Sequence, residues 1–166
     1  MRKINKVVIH HTESRGGDKE FIRYLHVDRN GWSDIGYHYI ITNGKMNGSW
    51  EAGKDGEVQI GRPIEKMGAH ARGSNKGTMG ISLVGTFMVD KPTPKQMSSL
   101  VNFLADFCVK FDLDPLRDIV GHRDVGSTDC PGDNLYEQMP TIRAIVYGII
   151  RHLQERRKSI KVKEED

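Results

Sequence analysis

The sequence predicts an α/β fold, a single domain with a central mixed β-sheet flanked by helices. Three observations carry this. Short apolar runs that read as strands start at Lys6, Ile35, Met79 and Asp118. Apolar residues at helical spacing run from Met97 to Phe111 and again from Ile142 to Leu153. The two kinds of segment alternate, with no internal repeat and no Gly/Ser-rich linker between them. A chain of 166 residues is long enough to bury about two-thirds of its unfolded surface without disulfide support.

Taken in order, Lys6 to Thr12 (K-V-V-I-H-H-T) is an apolar β-branched run ending in polar residues, the pattern of a buried strand. His10 and His11 stand at its C-terminal end, where open sheets build their sites. Adjacent strand residues face opposite ways, so only one of the two can point into a given site. Asp18 caps a helix whose apolar face is expected at Phe21, Tyr24 and Leu25, and the helix stops near Asn30-Gly31. His26 on that helix is read as a surface or packing residue. Ile35 to Thr42 reads as the second strand, with Asn43-Gly44 as a hairpin turn and Asp55-Gly56 as a further turn before a short strand at Glu57 to Ile60. Lys45 to Lys54 between them reads as an extended or irregular hairpin. Tyr37 and His38 stand at the strand entrance, where packing plus one hydrogen bond would account for them.

Met67 to Gly77 is a glycine-rich polar loop with no phosphate-cradling G-K-[ST] pattern. His70 within it either lines a site or lies exposed. Thr93, Pro94 and Gln96 form a capping box with a first-turn proline, and Met97, Leu100, Val101, Leu104, Phe107, Cys108 and Phe111 follow as a core stripe. A strand at Asp118 to Gly121 leads into the loop G-H-R-D-V-G-S-T-D-C-P-G, residues 121 to 132. The last helix is expected at Pro140 to Arg156, burying Ile142, Ile145, Val146, Ile149, Ile150 and Leu153. The domain therefore spans 1–156, and 157–166 is a charged tail expected to fray.

Composition narrows the function classes. Hydrophobic residues at 37% and charged residues at 28% describe a globular protein rather than a disordered one. A net charge of +3 favours an anionic polymer as partner and is far too small to argue for nucleic acid. Val7-Val8-Ile9 is too short for a signal peptide, and no stretch is long enough to span a membrane, so synthesis in the cytoplasm without a leader is expected. Of the two cysteines, Cys108 belongs to the core stripe and Cys130 has a better use than a disulfide.

That use is metal ligation. His122 and Cys130 share a loop that can fold imidazole and thiolate onto one ion, and Cys130-Pro131-Gly132 turns the chain sharply at the sulfur. Nitrogen and sulfur together suit Zn²⁺, whose catalytic sites take a third protein ligand and keep one position open. The H-H pair on the first strand can supply the third. Arg123 and Asp124 beside His122 either support it or form a solvated salt bridge.

The motifs V-V-I-H-H-T (7–12), G-Y-H-Y-I-I (36–41), G-A-H-A-R-G-S-N-K-G-T-M-G-I-S-L-V-G (68–85) and G-H-R-D-V with T-D-C-P-G (121–132) resemble, in order, the zinc amidases of the type-2 N-acetylmuramoyl-L-alanine amidase family. That family includes amidase-type phage lysozymes and peptidoglycan recognition proteins. The resemblance runs from Val7 to Tyr136. It implies one Zn²⁺ in a surface groove, held by His10, His122 and Cys130, with Tyr37 and Thr128 as catalytic residues and His70 as a groove residue that binds substrate. It implies peptidoglycan or muropeptide as substrate; the weak charge and the lack of a spanning stretch argue against nucleic-acid and membrane partners, and a monomer is expected. Lys45 to Lys54 departs from the shorter members as an insertion. Recognition proteins that lack the cysteine bind without cleaving, so Cys130 favours an enzyme. A structural zinc domain would show four closed ligands. Among enzymes, a phage or prophage endolysin fits the compact chain first, and a cytosolic amidase recycling soluble muropeptides second.

Overall fold

The computed structural model describes residues 2–46 and 48–164. A five-stranded sheet has the order β3-β2-β4-β1-β5. Its strands are β1 (Lys6–His11), β2 (Tyr39–Met46), β3 (Ser49–Ile60), β4 (Thr78–Leu83) and β5 (Ile119–Gly121). β1 pairs in parallel with β4 and β5, β2 in parallel with β4, and β3 antiparallel with β2. The helices are α1 (Lys19–Tyr24), α2 (Pro94–Phe111), α3 (Pro115–Asp118), α4 (Asp133–Tyr136) and α5 (Met139–Glu164). The expected mixed sheet flanked by helices is therefore what forms. No helix among the described residues is long and apolar enough to cross a membrane.

Side-chain alternation divides the sheet into two faces. Val7, Ile9, Ile41, Met79, Ile81, Leu83 and Ile119 join Leu100, Leu104 and Phe107 of α2 and Ile142 and Val146 of α5 in the main core. The opposite face carries His10 and Ser82 in register with Ile40. There Ile22, Ile35, Ile40 and Val84 form a smaller cluster with half-buried Leu25 and Tyr37 against it. α2 begins as its sequence demands: Thr93 Oγ1 accepts from Gln96 N at 3.0 Å and Gln96 Oε1 from Thr93 N at 3.1 Å. Cys108 is buried and both cysteines are unpaired.

Several boundaries differ from expectation. Asn43-Gly44 and Asp55-Gly56 do not turn the chain; each lies inside a strand of one long hairpin, where the β2–β3 register shifts. Both glycines have positive φ, 75° and 81°. The same left-handed residue that closes a tight turn also makes a bulge, so the dipeptide alone does not separate the two. The strands reverse direction between Met46 and Ser49 instead; Asn47, within the expected insertion, lies outside the described residues. β2 starts at Tyr39, after Ile35 to His38 have passed as irregular chain.

Of the expected apolar face only Leu25 packs inward, beside Ile22. Ile22 is 2% exposed, while Phe21 and Tyr24 are 41% and 46% exposed. The helical path continues directly as a π-helix over Leu25–Arg29 and ends before Asn30-Gly31 as expected, and contact with Ile35 and Ile40 fixes its rotation. On α5, Ile142 and Val146 are buried but Ile145 and Leu153 are exposed. The helix runs past Arg156 to Glu164, with no glycine or proline after Gly148 to stop it. From Arg151 to Ile160 every residue is exposed, because this part has outrun the layer it packs on. Residues 165–166 of the expected tail lie outside the described residues.

Candidate metal centre

Strand register assembles the site. β5 pairs with β1 so that Gly121 sits beside Ile9. The next residue along each chain segment is a histidine, His10 within β1 and His122 just past the end of β5, and their rings lie 4.5 Å apart between centroids. The chain then makes a single tight turn over His122–Asp124 and returns, with Arg123 N donating to Cys130 O at 3.0 Å. This places Cys130 Sγ 3.7 Å from His10 Nδ1. One donor atom each from His10, His122 and Cys130 lie within 4.8 Å of one another.

The donor set fits zinc. Bond lengths of about 2.3 Å to sulfur and about 2.0–2.1 Å to nitrogen at a tetrahedral angle put S and N about 3.6 Å apart. The observed 3.7 Å needs almost no rearrangement. Three protein donors leave one tetrahedral position for water or substrate. Burial, with His70, His122 and His11 nearby, pushes His10 far below its usual pKa, and burial lowers His122 as well. Burial also pushes the Cys130 thiol up to about 12, although His11 N–H donates to Sγ at 3.4 Å and opposes this. Both imidazoles thus offer lone pairs, and a cation must displace the thiol proton.

His11, Glu13, Tyr37, His122, Thr128 and Cys130 line a cleft of about 420 Å³, so two of the three donor residues border it directly. The Tyr37 ring lies 5.1 Å from that of His10. Burial, with Cys130 beside it, raises the Tyr37 hydroxyl well above the usual phenol range, so it stays a donor at neutral pH. Thr128 Oγ1 accepts from Cys130 N at 3.2 Å, which both holds the cysteine turn and leaves the hydroxyl proton available to the cleft. His11 faces the main core, where its Nδ1 accepts from Phe87 N at 3.2 Å.

His70 is placed differently from its expected groove position. It does not line the cleft but lies buried behind His10, with its Nδ1 3.0 Å from His10 Nε2. Asp124 does not support the His122 ring. It accepts from Gly121 N at 2.7 Å and from the Tyr136 hydroxyl, and Arg123 pairs with Asp133 at 2.8 Å, so both brace the loop. His38 is fully buried, with Nδ1 accepting from Gly80 N at 3.0 Å and Nε2 3.0 Å from Lys66 O. His26 is the expected packing residue, stacked on Trp32 and accepting from Gly36 N. Sequence reasoning missed Glu13. It is exposed at the cleft with φ 55°, a left-handed conformation that no local pattern announces.

Comparison with known proteins points the same way. The Amidase_2 profile, described as N-acetylmuramoyl-L-alanine amidase, matches residues 1–133. Peptidoglycan-recognition protein SC2 of Drosophila melanogaster is 35% identical over 120 residues, covering 72% of this chain and 59% of its own length. The chain therefore spans less than two-thirds of that relative. Among solved structures, N-acetylmuramoyl-L-alanine amidase LysC from Clostridium intestinale superposes with a TM-score of 0.71 at 32% identity, covering 84% of this chain and 85% of LysC. Peptidoglycan recognition protein-LE, solved in complex with tracheal cytotoxin, gives 0.69 at 27% identity, covering 85% and 81%.

Proposed function

Since the chain belongs to the N-acetylmuramoyl-L-alanine amidase family, we propose that it is a zinc-dependent amidase cutting the bond between N-acetylmuramic acid and the L-alanine of the peptidoglycan stem. The observation that carries this reading is the convergence of His10, His122 and Cys130 beneath one cleft that also holds Tyr37. A zinc ion held by these three residues would supply a Lewis acid that activates water and polarises the scissile carbonyl. The protein's own part is then to shape charge around the reacting amide. Tyr37 donates a hydrogen bond to the oxygen on which negative charge develops, and its high pKa keeps the proton in place. Thr128, which lines the same cleft, is a second donor. Neither is a base at neutral pH, so neither takes the proton from water. His11 N–H keeps the Cys130 sulfur aimed and favours its thiolate.

The amidase unit occupies 1–156 and acts as a monomer on the cell wall, without nucleic-acid or membrane partners. An endolysin role is favoured by the likeness to an endolysin of Clostridium intestinale. Non-catalytic recognition is the second reading, because so many relatives bear recognition-protein names; the intact triad weighs against it. Elemental analysis combined with turnover on purified peptidoglycan decides between them. One zinc per chain with release of L-alanine-terminated peptides is expected, and tight binding of peptidoglycan without cleavage would overturn the enzyme. Whole sacculi cut faster than soluble muropeptides support the endolysin; the reverse ranking supports recycling.

A further inference from the structure

We propose that His70 is a positioning residue that locks His10 in the tautomer protonated on Nε2, which commits His10 Nδ1 to the metal position. This deepens the zinc reading and rests on it for its purpose, though not for its geometry.

The tautomer follows from a chain of hydrogen bonds read from its far end. Thr78 Oγ1 donates to Ser74 O at 2.8 Å, with Asn75 O at 3.1 Å. Carbonyls cannot return a proton, so the single hydroxyl proton of Thr78 is spent there. Toward His70 Nε2, at 3.4 Å, Thr78 Oγ1 is then an acceptor, and His70 carries its proton on Nε2. A neutral imidazole has one donor and one acceptor, so His70 Nδ1 presents a lone pair to His10 Nε2 at 3.0 Å. His10 Nε2 must donate. The remaining His10 lone pair, on Nδ1, is the one facing Cys130 Sγ.

The surroundings are built for this arrangement. His70 N–H and Ala71 N–H both donate to Asn75 Oδ1 at 2.9 Å, fixing the backbone of the loop under the ring. A Cβ at Gly80 would stand 2.4 Å from His70 Cγ, and one at Gly68 2.5 Å from His70 Cδ2. The ring therefore fills room that two glycines leave. At 7% exposure it has little access to a ligand in the cleft. The same loop reaches the other histidine of the triad. Ser74 Oγ donates to Val125 O at 3.1 Å, and Val125 N to His122 O at 3.1 Å.

The test uses metal-free, ¹⁵N-labelled full-length protein, with long-range ¹H–¹⁵N correlations of the ring nitrogens at neutral pH. The wild type is expected to show His10 as a single Nε2–H tautomer. His70→Phe keeps a ring over Gly80 but removes the acceptor; it should mix the His10 tautomers and weaken Zn²⁺ affinity, read by chelator competition, about 10–100-fold. His70→Asn puts Oδ1 near the lost Nδ1 and should recover most of that affinity, which bulk packing alone would not. An Nδ1–H tautomer in the wild type overturns the proposal, as does wild-type zinc affinity in a folded His70→Phe. If His70→Phe does not fold, the wild-type tautomer and the His70→Asn affinity still decide. Should the wild type bind no zinc while His10 remains Nε2–H, the metal reading fails and the positioning role stands.

Discussion

Along β1, Val7 and Ile9 face the layer of α2 and α5 and the His11 ring packs on Phe87 of that core, while His10 turns to the opposite face beside His122 and Cys130, and the two faces are filled by opposite means. Beneath α2 and α5 the filling is aliphatic and aromatic, with Leu100, Leu104, Ile142 and Val146 all fully buried. On the cleft face, His10, His38 and His70 are buried at 1%, 0% and 7% exposure, and each has a defined polar partner. Packing closes the first face, and what matters there is volume. On the second face the buried histidine rings are held by paired donors and acceptors, so what matters there is identity and tautomer, while Ser82 Oγ is buried among them without a partner in the described residues.

The sharpest way to break this comparison is at the sulfur. Cys130→Ser should abolish nearly all turnover and most bound zinc, while the metal-free variant melts close to the metal-free wild type, since the main core is untouched. Elemental analysis showing one tightly held zinc with full activity would remove the cysteine from the triad. Tyr37→Phe tests the cleft wall without touching a ligand. It should keep stoichiometric zinc and lower kcat by about 10²-fold, the scale for loss of one positioned donor; near wild-type kcat would end the role.

The neighbouring histidines compare the two faces directly. His10→Ala should empty the metal site. His11→Ala should keep zinc and lose about 1–3 kcal/mol of stability, because Phe87 N–H is left buried without its acceptor. Chelator competition and urea unfolding on both variants read the outcome, and zinc loss in His11→Ala alone would reverse the faces.

The smallest effect is a slope. Burial, partly opposed by the Lys66 carbonyl and reinforced by Arg2 and Arg62, pushes His38 down to about 4. An unfolded histidine titrates near 6.5. Between these values the unfolded chain holds the extra proton, so this contribution to stability is complete above about pH 6.5 and is lost as pH falls toward 4. Urea midpoints of the metal-free protein should decline through that window, and His38→Gln should flatten the decline. An unchanged slope in the variant would place the acid sensitivity elsewhere.

Legibility followed the range of the interaction. The capping box of α2 was readable to the residue because Thr93 and Gln96 satisfy each other within one turn. The other half of the Gln96 amide was not readable: its Nε2 donates to Ile41 O and Val84 O, which are distant in the chain. Asn43-Gly44 announced a left-handed residue correctly and its use wrongly. α1 showed a helix with its cap at Asp18, but not which side would meet Ile35 and Ile40. His70 belonged to a legible motif, yet nothing local said that its ring would lie over Gly80 behind His10 instead of in the cleft.

By itself the sequence determined the alternation of strand and helix, the core stripe of α2 and the order of the four motifs that place the chain in its family. These rest on periods of two and about 3.6 residues and on contacts within a turn, which the backbone enforces locally. Only the tertiary structure decided the strand register that sets His122 beside His10, the nitrogen that His10 turns to Cys130, and the burial of His70. Those depend on groups 60 to 120 positions apart in the chain, and pairing at that distance is selected by the shape and polarity of the whole sheet face rather than by any neighbouring residue.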